Sequence, residues 1–145
     1  MDILRKKFCD WDERMQERLK RATLEGGWLR RFIPYFPESP TMVIMGPKQL
    51  MGWAFVLHHE YKIYFMIYVH ERYRGRGLAT CLIKEAIKDF PVISLAGWDR
   101  KTKRLFGDLQ KHHPGRIEMY DFWKNVNRFR KILDEAKEKN KKVRG

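Results

Sequence analysis

Arg72-Tyr73-Arg74-Gly75-Arg76-Gly77 places two glycines one residue apart among three arginines. A residue without a Cβ lets successive backbone N–H groups converge on a ligand, and a guanidinium carries a charge that no working pH removes. An amphipathic pattern opens at Leu78, so the unpaired N–H groups of a helix start, and its dipole, face the same point. The combination predicts a cradle for a phosphate-sized anion. A nucleoside-triphosphate loop is disfavoured because no Lys-Ser or Lys-Thr follows the glycines, and the third glycine of a dinucleotide fingerprint is missing. A merely solvated basic loop leaves both glycines unexplained.

Other polar groups have the chemistry for proton transfer. His58, His59 and Glu60 fall between two apolar runs; a polar turn and a proton-transfer site are both readings of them, and imidazole titrates near neutrality. Tyr120 and Asp99 are looser candidates, a phenol as donor and a carboxylate as acceptor. Trp98, Phe122, Trp123 and Phe129 would make a base-stacking platform if exposed, but their helical or strand spacing assigns them to a core. Cys9 and Cys81 lie outside any CxxC pattern, so neither a disulfide framework nor a metal site is expected.

The elements that position these groups follow from periodicity. Leu4, Phe8, Trp11, Met15, Leu19 and Ala22 recur at three- and four-residue steps and predict a helix over 4–24, ended by Gly26-Gly27. A short helical piece over 28–33 stops before Pro34. Strands are expected over 41–45, 50–57 and 63–69, the last apolar at every position as in the middle of a sheet, with residues 58–60 connecting the second to the third. Leu78, Ala79, Leu82, Ile83, Ala86, Ile87 and Phe90 share one helix face, and Pro91 stops that helix. A buried strand over 92–96 completes a βαβ unit with parallel strands, whose ligands sit at the carboxyl ends. Beyond it the spacing predicts a helix over 101–112, a strand or helix start over 117–123, a closing helix from about Phe122, and a frayed basic tail over 137–145.

Composition bounds the partners. The 145 residues suit one domain spanning 1–145, and Lys plus Arg outnumber Asp plus Glu by 31 to 18, a formal charge of +13. An anionic partner follows, whether nucleotide cofactor, nucleic acid or acidic surface. The opening residues lack the apolar core of a signal peptide, and the apolar runs fall short of the roughly 20 residues that span a bilayer. A soluble, cytoplasmic protein is expected, with no membrane partner; a dimer is compatible with the sequence.

The stretch VHERYRGRGLATCLIKEA resembles the acetyl-CoA-binding motif of the GNAT superfamily of N-acetyltransferases: Arg or Gln, two residues, Gly, one residue, Gly or Ala. Arg72, Gly75 and Gly77 fill that pattern, and the order of strands and helices extends the likeness over about 41–109. The resemblance implies an α/β (α+β) fold. It has a mixed, mostly antiparallel central sheet, a parallel βαβ acetyl-CoA-binding unit, N-terminal helices and an extra C-terminal helix. It implies acetyl-CoA as co-substrate, its pyrophosphate on the backbone from Arg74 through Gly75, Arg76 and Gly77 to Leu78, with Arg72 beside it. Ile67, Tyr68 and Val69 would pair with the pantetheine arm as another strand does.

The implied reaction is attack of a neutral primary amine on the thioester carbonyl, with backbone N–H stabilising the oxyanion and thiolate leaving. Glu60 is the nearest match to a carboxylate that some members place near the start of the central strand, and His59 stands beside it. Members often carry a tyrosine acid where this chain has Phe106; Tyr120 is a looser candidate for the acid if the tail folds back, and a strand aromatic packed on the core otherwise. Members also have an apolar strand before the first helix; the spacing from Leu4 predicts that it is absent or displaced. So large a positive charge repels a small cationic amine and points to an acceptor on or near nucleic acid, such as aminoacyl-tRNA, a ribosomal protein or a nucleic-acid-bound protein. The rival reading keeps the fold without turnover, as a basic protein that binds nucleic acid or a protein partner.

Overall fold

The computed structural model describes residues 2–22, 28–97 and 99–144; the Gly26-Gly27 stop and Trp98 lie outside the described residues. Six strands, β1 (Leu4–Lys7), β2 (Pro40–Met45), β3 (Leu50–His59), β4 (Lys62–Val69), β5 (Ile93–Gly97) and β6 (Ile117–Asp121), form one sheet in chain order. The pairings from β1 to β4 are antiparallel, and β4–β5 and β5–β6 are parallel. Five helices accompany them among the described residues: α1 (Glu13–Ala22), α2 (Trp28–Phe32), α3 (Leu78–Asp89), α4 (Arg100–His112) and α5 (Val126–Arg144).

Alternation along β3 divides the core between the two sheet faces, as a period of two requires. Trp53, Phe55 and Leu57 pack against Leu19 of α1, Phe32 of α2 and Phe129, Ile132 and Leu133 of α5. Ala54 and Val56, on the opposite face, pack against Leu82, Ile83 and Ala86 of α3 and Phe106 and Leu109 of α4. Burying both faces explains why β3 and β4 read as near-continuous apolar runs. The mixed sheet and the parallel βαβ unit are those expected from the sequence.

The opening residues differ from that reading. Leu4–Lys7 is a strand rather than the start of a helix, registered antiparallel to β2 from Leu4↔Val43 to Lys7↔Pro40. All four of its side chains are exposed, so no alternating apolar face marks it. Its hold comes from the backbone ladder and from Arg5, which pairs with Glu85 and Asp89 on α3. Helix α1 begins only at Glu13, where Asp12 Oδ1 accepts from Met15 N at 2.7 Å, an N-cap inside what the spacing had suggested was one continuous helix. The family strand is therefore present.

Two other boundaries move. His58 and His59 belong to β3, and only Glu60 and Tyr61 make the turn to β4. The residues expected to fray, 137–144, continue α5 to Arg144. Buried Ala136 anchors the last core turn, Asn140 Nδ2 donates to Ala136 O at 3.0 Å, and Lys141 pairs with Glu138 one turn back, so polarity here marks a solvated helix face. The closing helix starts at Val126, after a 3-10 turn over Trp123–Asn125.

Helix α5 is integral to the domain because Phe129, fully buried, meets the rings of Phe32, Tyr64, Tyr120 and Phe122 at 5.1–6.0 Å. Phe129→Ala is expected to cost about 3–5 kcal/mol in a urea unfolding titration. A loss below about 1 kcal/mol would mean that α5 is not a core element.

Candidate active site

Strand β4 keeps register with β3 along its whole length, from Gly52↔Val69 to His59↔Lys62, and β5 keeps register with β6 from Ile93↔Ile117 to Gly97↔Asp121. Between β4 and β5 the register holds a single pair, Tyr64↔Ser94. The two parallel strands therefore part after that pair. Beyond Tyr64, no register pair to β5 follows along β4 among the described residues.

Strand β4 leads into the glycine loop. His70 N donates to Met51 O at 2.8 Å, and a 3-10 turn over Glu71–Tyr73 follows. Arg72 N donates to His70 Nδ1 at 3.1 Å, Tyr73 N to His70 O at 2.8 Å and Arg74 N to Glu71 O at 3.3 Å. Arg74 Nε also reaches back to Val69 O at 3.1 Å. The amides of Arg72, Tyr73 and Arg74 are thus committed to folding the turn, and Arg74 offers none to a ligand.

Beyond Arg74 the donors change role. The first bond of α3 runs from Cys81 N to Gly77 O at 3.0 Å, and the amides from Gly75 to Thr80 find no protein acceptor among the described residues. Gly75 and Gly77 have φ of 81° and 78°, a region L side chains rarely adopt. A Cβ at either would meet nothing within 4 Å, so backbone conformation rather than crowding calls for glycine, and the space over the loop is open. Tyr73 fastens the loop to the β2–β3 turn: its hydroxyl accepts from Gln49 Nε2 at 3.0 Å, and the Arg76 guanidinium lies 5.3 Å from its ring. Arg72, Arg74 and Arg76 are exposed.

The proton-transfer candidates are scattered. Glu60 forms the exposed β3–β4 turn with φ of 55°, its carbonyl 3.1 Å from His58 Nε2, and His59 Nε2 pairs with Glu135 Oε2 of α5 at 3.2 Å. That turn lies at the amino end of β4. The glycine loop lies at the other end, roughly 23 Å away at about 3.3 Å per residue. Asp99 caps α4, its Oδ1 accepting from Thr102 N at 2.8 Å and its own N–H donating to Thr102 Oγ1 at 3.1 Å. The Thr102 N–H, and then the Thr102 hydroxyl that donates to the same Oδ1 at 2.9 Å, hold its carboxyl below the usual range. Phe106 is core.

Tyr120 is nearer the opening. Its ring meets that of Tyr64 edge-on at 5.6 Å, beside the one register pair that joins β4 to β5. Burial, with a smaller contribution from Tyr64, pushes its phenol well above the ordinary value, so the hydroxyl stays protonated. Ser94 and Glu118 complete a polar cluster that sequence reasoning missed. Ser94 Oγ and Lys62 Nζ each donate to Glu118 Oε2 at 3.3 Å, next to Tyr120. The available signals were a serine inside an apolar strand and a glutamate two residues before Tyr120, hence on the same strand face.

Among the described residues, no group of three or more His, Cys, Asp or Glu side chains is placed to hold a metal, and no helix is long and apolar enough to cross a membrane. A mixed sheet that parts at a parallel pair, with a glycine turn between β4 and α3, defines an α/β protein. A family model described as the Acetyltransferase (GNAT) family matches residues 6–92, more than half of the chain, and the protein belongs to that family. The match includes Lys6 and Lys7, the second half of β1, as well as the glycine loop and α3. No curated protein and no solved structure matches the chain.

The cap on α4 has a pH signature. A carboxyl held below its unfolded value near ~3.9 stabilises the fold above that pH and loses the contribution as pH falls through the folded pKa. Asp99→Ala is therefore expected to lower the thermal midpoint at pH 7, with the gap to the parent closing below about pH 4. A gap that persists undiminished in acid would show that the carboxylate is not the capping group.

Proposed function

We propose that the protein is an acetyl-CoA-dependent N-acetyltransferase that acts on a primary amine carried on or near nucleic acid. The observation that carries the reading is the parting of β4 from β5 after Tyr64↔Ser94, next to a glycine loop whose amides from Gly75 to Thr80 find no protein acceptor among the described residues. The residues fit the co-substrate: open space above two positive-φ glycines suits a pyrophosphate, and the parting of β4 from β5 suits an extended amide-containing arm. Bound there, acetyl-CoA supplies an activated acyl group. Of the expected binding set, Gly75, Arg76, Gly77 and Leu78 offer amides, Ile67, Tyr68 and Val69 offer the strand edge, and Arg72 adds charge. Arg74 serves by closing the turn.

For the chemistry, β4 backbone N–H groups facing the opening are the oxyanion donors. Tyr120 is the acid: its hydroxyl remains protonated and it borders the inner end of the opening, where the leaving thiolate would need a proton. Glu60 and His59 are assigned to the far turn and to the bond with α5. The acceptor assignment rests on the charge of +13, which disfavours a free cationic amine. Turnover on aminoacyl-tRNA or protein amines separates this reading from a binding protein that keeps the fold without chemistry.

Isothermal calorimetry is expected to give low-micromolar acetyl-CoA binding that competes with CoA. Gly75→Glu should abolish it by placing an anion in the cradle, whereas Gly75→Ala, which strains φ without adding charge, should only weaken it. No heat and no competition would remove the assignment. Tyr120→Phe is expected to slow turnover with the acetyl-CoA KM unchanged, and Glu60→Gln to leave the rate as it was. The opposite pattern would move proton transfer to the turn.

A further inference from the structure

Strand β5 is apolar on one side, where Ile93 and Leu95 join the core shared with α3 and α4. On the other side it carries Ser94, whose residue is only 2% exposed. A hydroxyl buried to that degree costs stability unless it is hydrogen-bonded. Ser94 stands opposite Tyr64 in the register pair that joins β4 to β5, and opposite Glu118 in the ladder to β6. Its hydroxyl donates to Glu118 Oε2 at 3.3 Å, the same oxygen that Lys62 Nζ reaches at 3.3 Å.

These three residues line one cleft of about 320 Å³ together with Gln110 and Tyr120. That volume is far above the roughly 15 Å³ a single water needs, and the walls are polar enough to hold several. Glu118 and Tyr120 share a face of β6 about 7 Å apart along the strand, a gap that one water bridges. The Ser94 O–H is committed to Glu118, which leaves its lone pairs to accept. The Tyr120 O–H has no protein acceptor among the described residues, so its acceptor in the cleft is water. Glu118 ends the series at the surface, its side chain 55% exposed. Among the described residues the ionisable groups of the cleft are Lys62, Glu118 and Tyr120, and α4 adds only the neutral amide of Gln110, whose Nε2 donates to Ile117 O at 3.1 Å.

We propose that Ser94 and Glu118 form the path by which Tyr120 exchanges its hydroxyl proton with solvent. The inference rests on the acid role of Tyr120 given above and supplies what that role requires. As the C–S bond breaks, its electron pair passes to sulfur, and sulfur takes the phenolic proton. A phenolate is left in surroundings that disfavour its charge, and it cannot act again until it is refilled. The attacking amine loses one proton to water, and Glu118 takes one from water and passes it through Ser94 and the cleft water to the phenolate. One proton leaves nitrogen and one arrives at sulfur. Ser94 and Glu118 touch neither reactant and act through Tyr120, as positioning residues. A surface ion pair of Glu118 with Lys62 that merely ties β6 to β4 would use neither the buried hydroxyl nor the cleft.

The test reads the Tyr120 hydroxyl in the ligand-free protein. With tyrosine carrying carbon-13 at Cζ, in an equal mixture of light and heavy water, the Cζ resonance separates into protonated and deuterated lines when hydroxyl exchange is slow and merges when it is fast. Tyr120→Phe identifies the resonance. Ser94→Ala and Glu118→Gln should each slow the exchange by more than about tenfold, and the conservative Ser94→Thr and Glu118→Asp should restore most of it. A substitution that merely loosened the fold would admit water and speed the exchange, so the sign separates the two roles. Lys62→Met removes the ion pair, keeps the carboxylate and should leave the exchange as it is. Matching circular dichroism melts should show that all variants fold.

Exchange that is unchanged or faster in either Ser94→Ala or Glu118→Gln would overturn the inference, and so would slowing by Lys62→Met equal to that by Glu118→Gln. Calorimetry with acetyl-CoA on the same variants keeps the two proposals apart. Retained acetyl-CoA binding with unslowed exchange removes the proton path and spares the cofactor reading. Slowed exchange without acetyl-CoA binding does the reverse.

Discussion

The site depends on β4 and β5 being held at one register pair, Tyr64↔Ser94, while each remains locked to its other neighbour. A strand edge left without a partner exposes N–H and C=O groups that a closed sheet would satisfy, and natural sheets avoid such edges unless they serve a purpose. Here the separation is supported from both faces. Phe65 packs with α3 and α4, and Tyr64 with Phe129 and Tyr120 on the α5 side, so β4 cannot drift toward β5 without disrupting two cores. The opening is a consequence of the packing.

The glycine loop continues that arrangement by dividing its amides. Three of them close the turn, and the next six, from Gly75 to Thr80, are left over at the start of α3. Gln49 and Tyr73 hold the loop from below, so its open side is preorganised and binding need not order it first.

What was legible in the sequence was local. The alternation of glycine with arginine, the stripe from Leu78 to Phe90 and the stop at Pro91 are each set within a few residues, and the loop, α3 and the parallel strands stand where those signals put them. Strand β1 was not legible because Leu4–Lys7 has no apolar face and owes its state to a ladder with β2, whose pairs run from Lys7↔Pro40, 33 residues apart, to Leu4↔Val43, 39 apart. The spacing from Leu4 to Ala22 joined a strand, a 3-10 turn and a helix, of which only the turn and the helix share a core through Phe8, Trp11 and Leu19. The cluster of Ser94, Glu118 and Tyr120 spans two strands and takes Lys62 from a third, so no sequence interval could reveal it. Glu60 stands on the turn at the amino end of β4, and the glycine loop follows its carboxyl end.

The most direct measurement of the central claim is an amide-resolved NMR titration of the isotope-labelled protein with CoA. The account predicts that the N–H resonances of residues 75–80, together with those of Ile67, Tyr68 and Val69, shift and saturate together, and that the amide of Tyr73, already bonded within the turn, moves little. Shifts concentrated on α5 or around Glu60, with residues 75–80 unmoved at saturation, would contradict it.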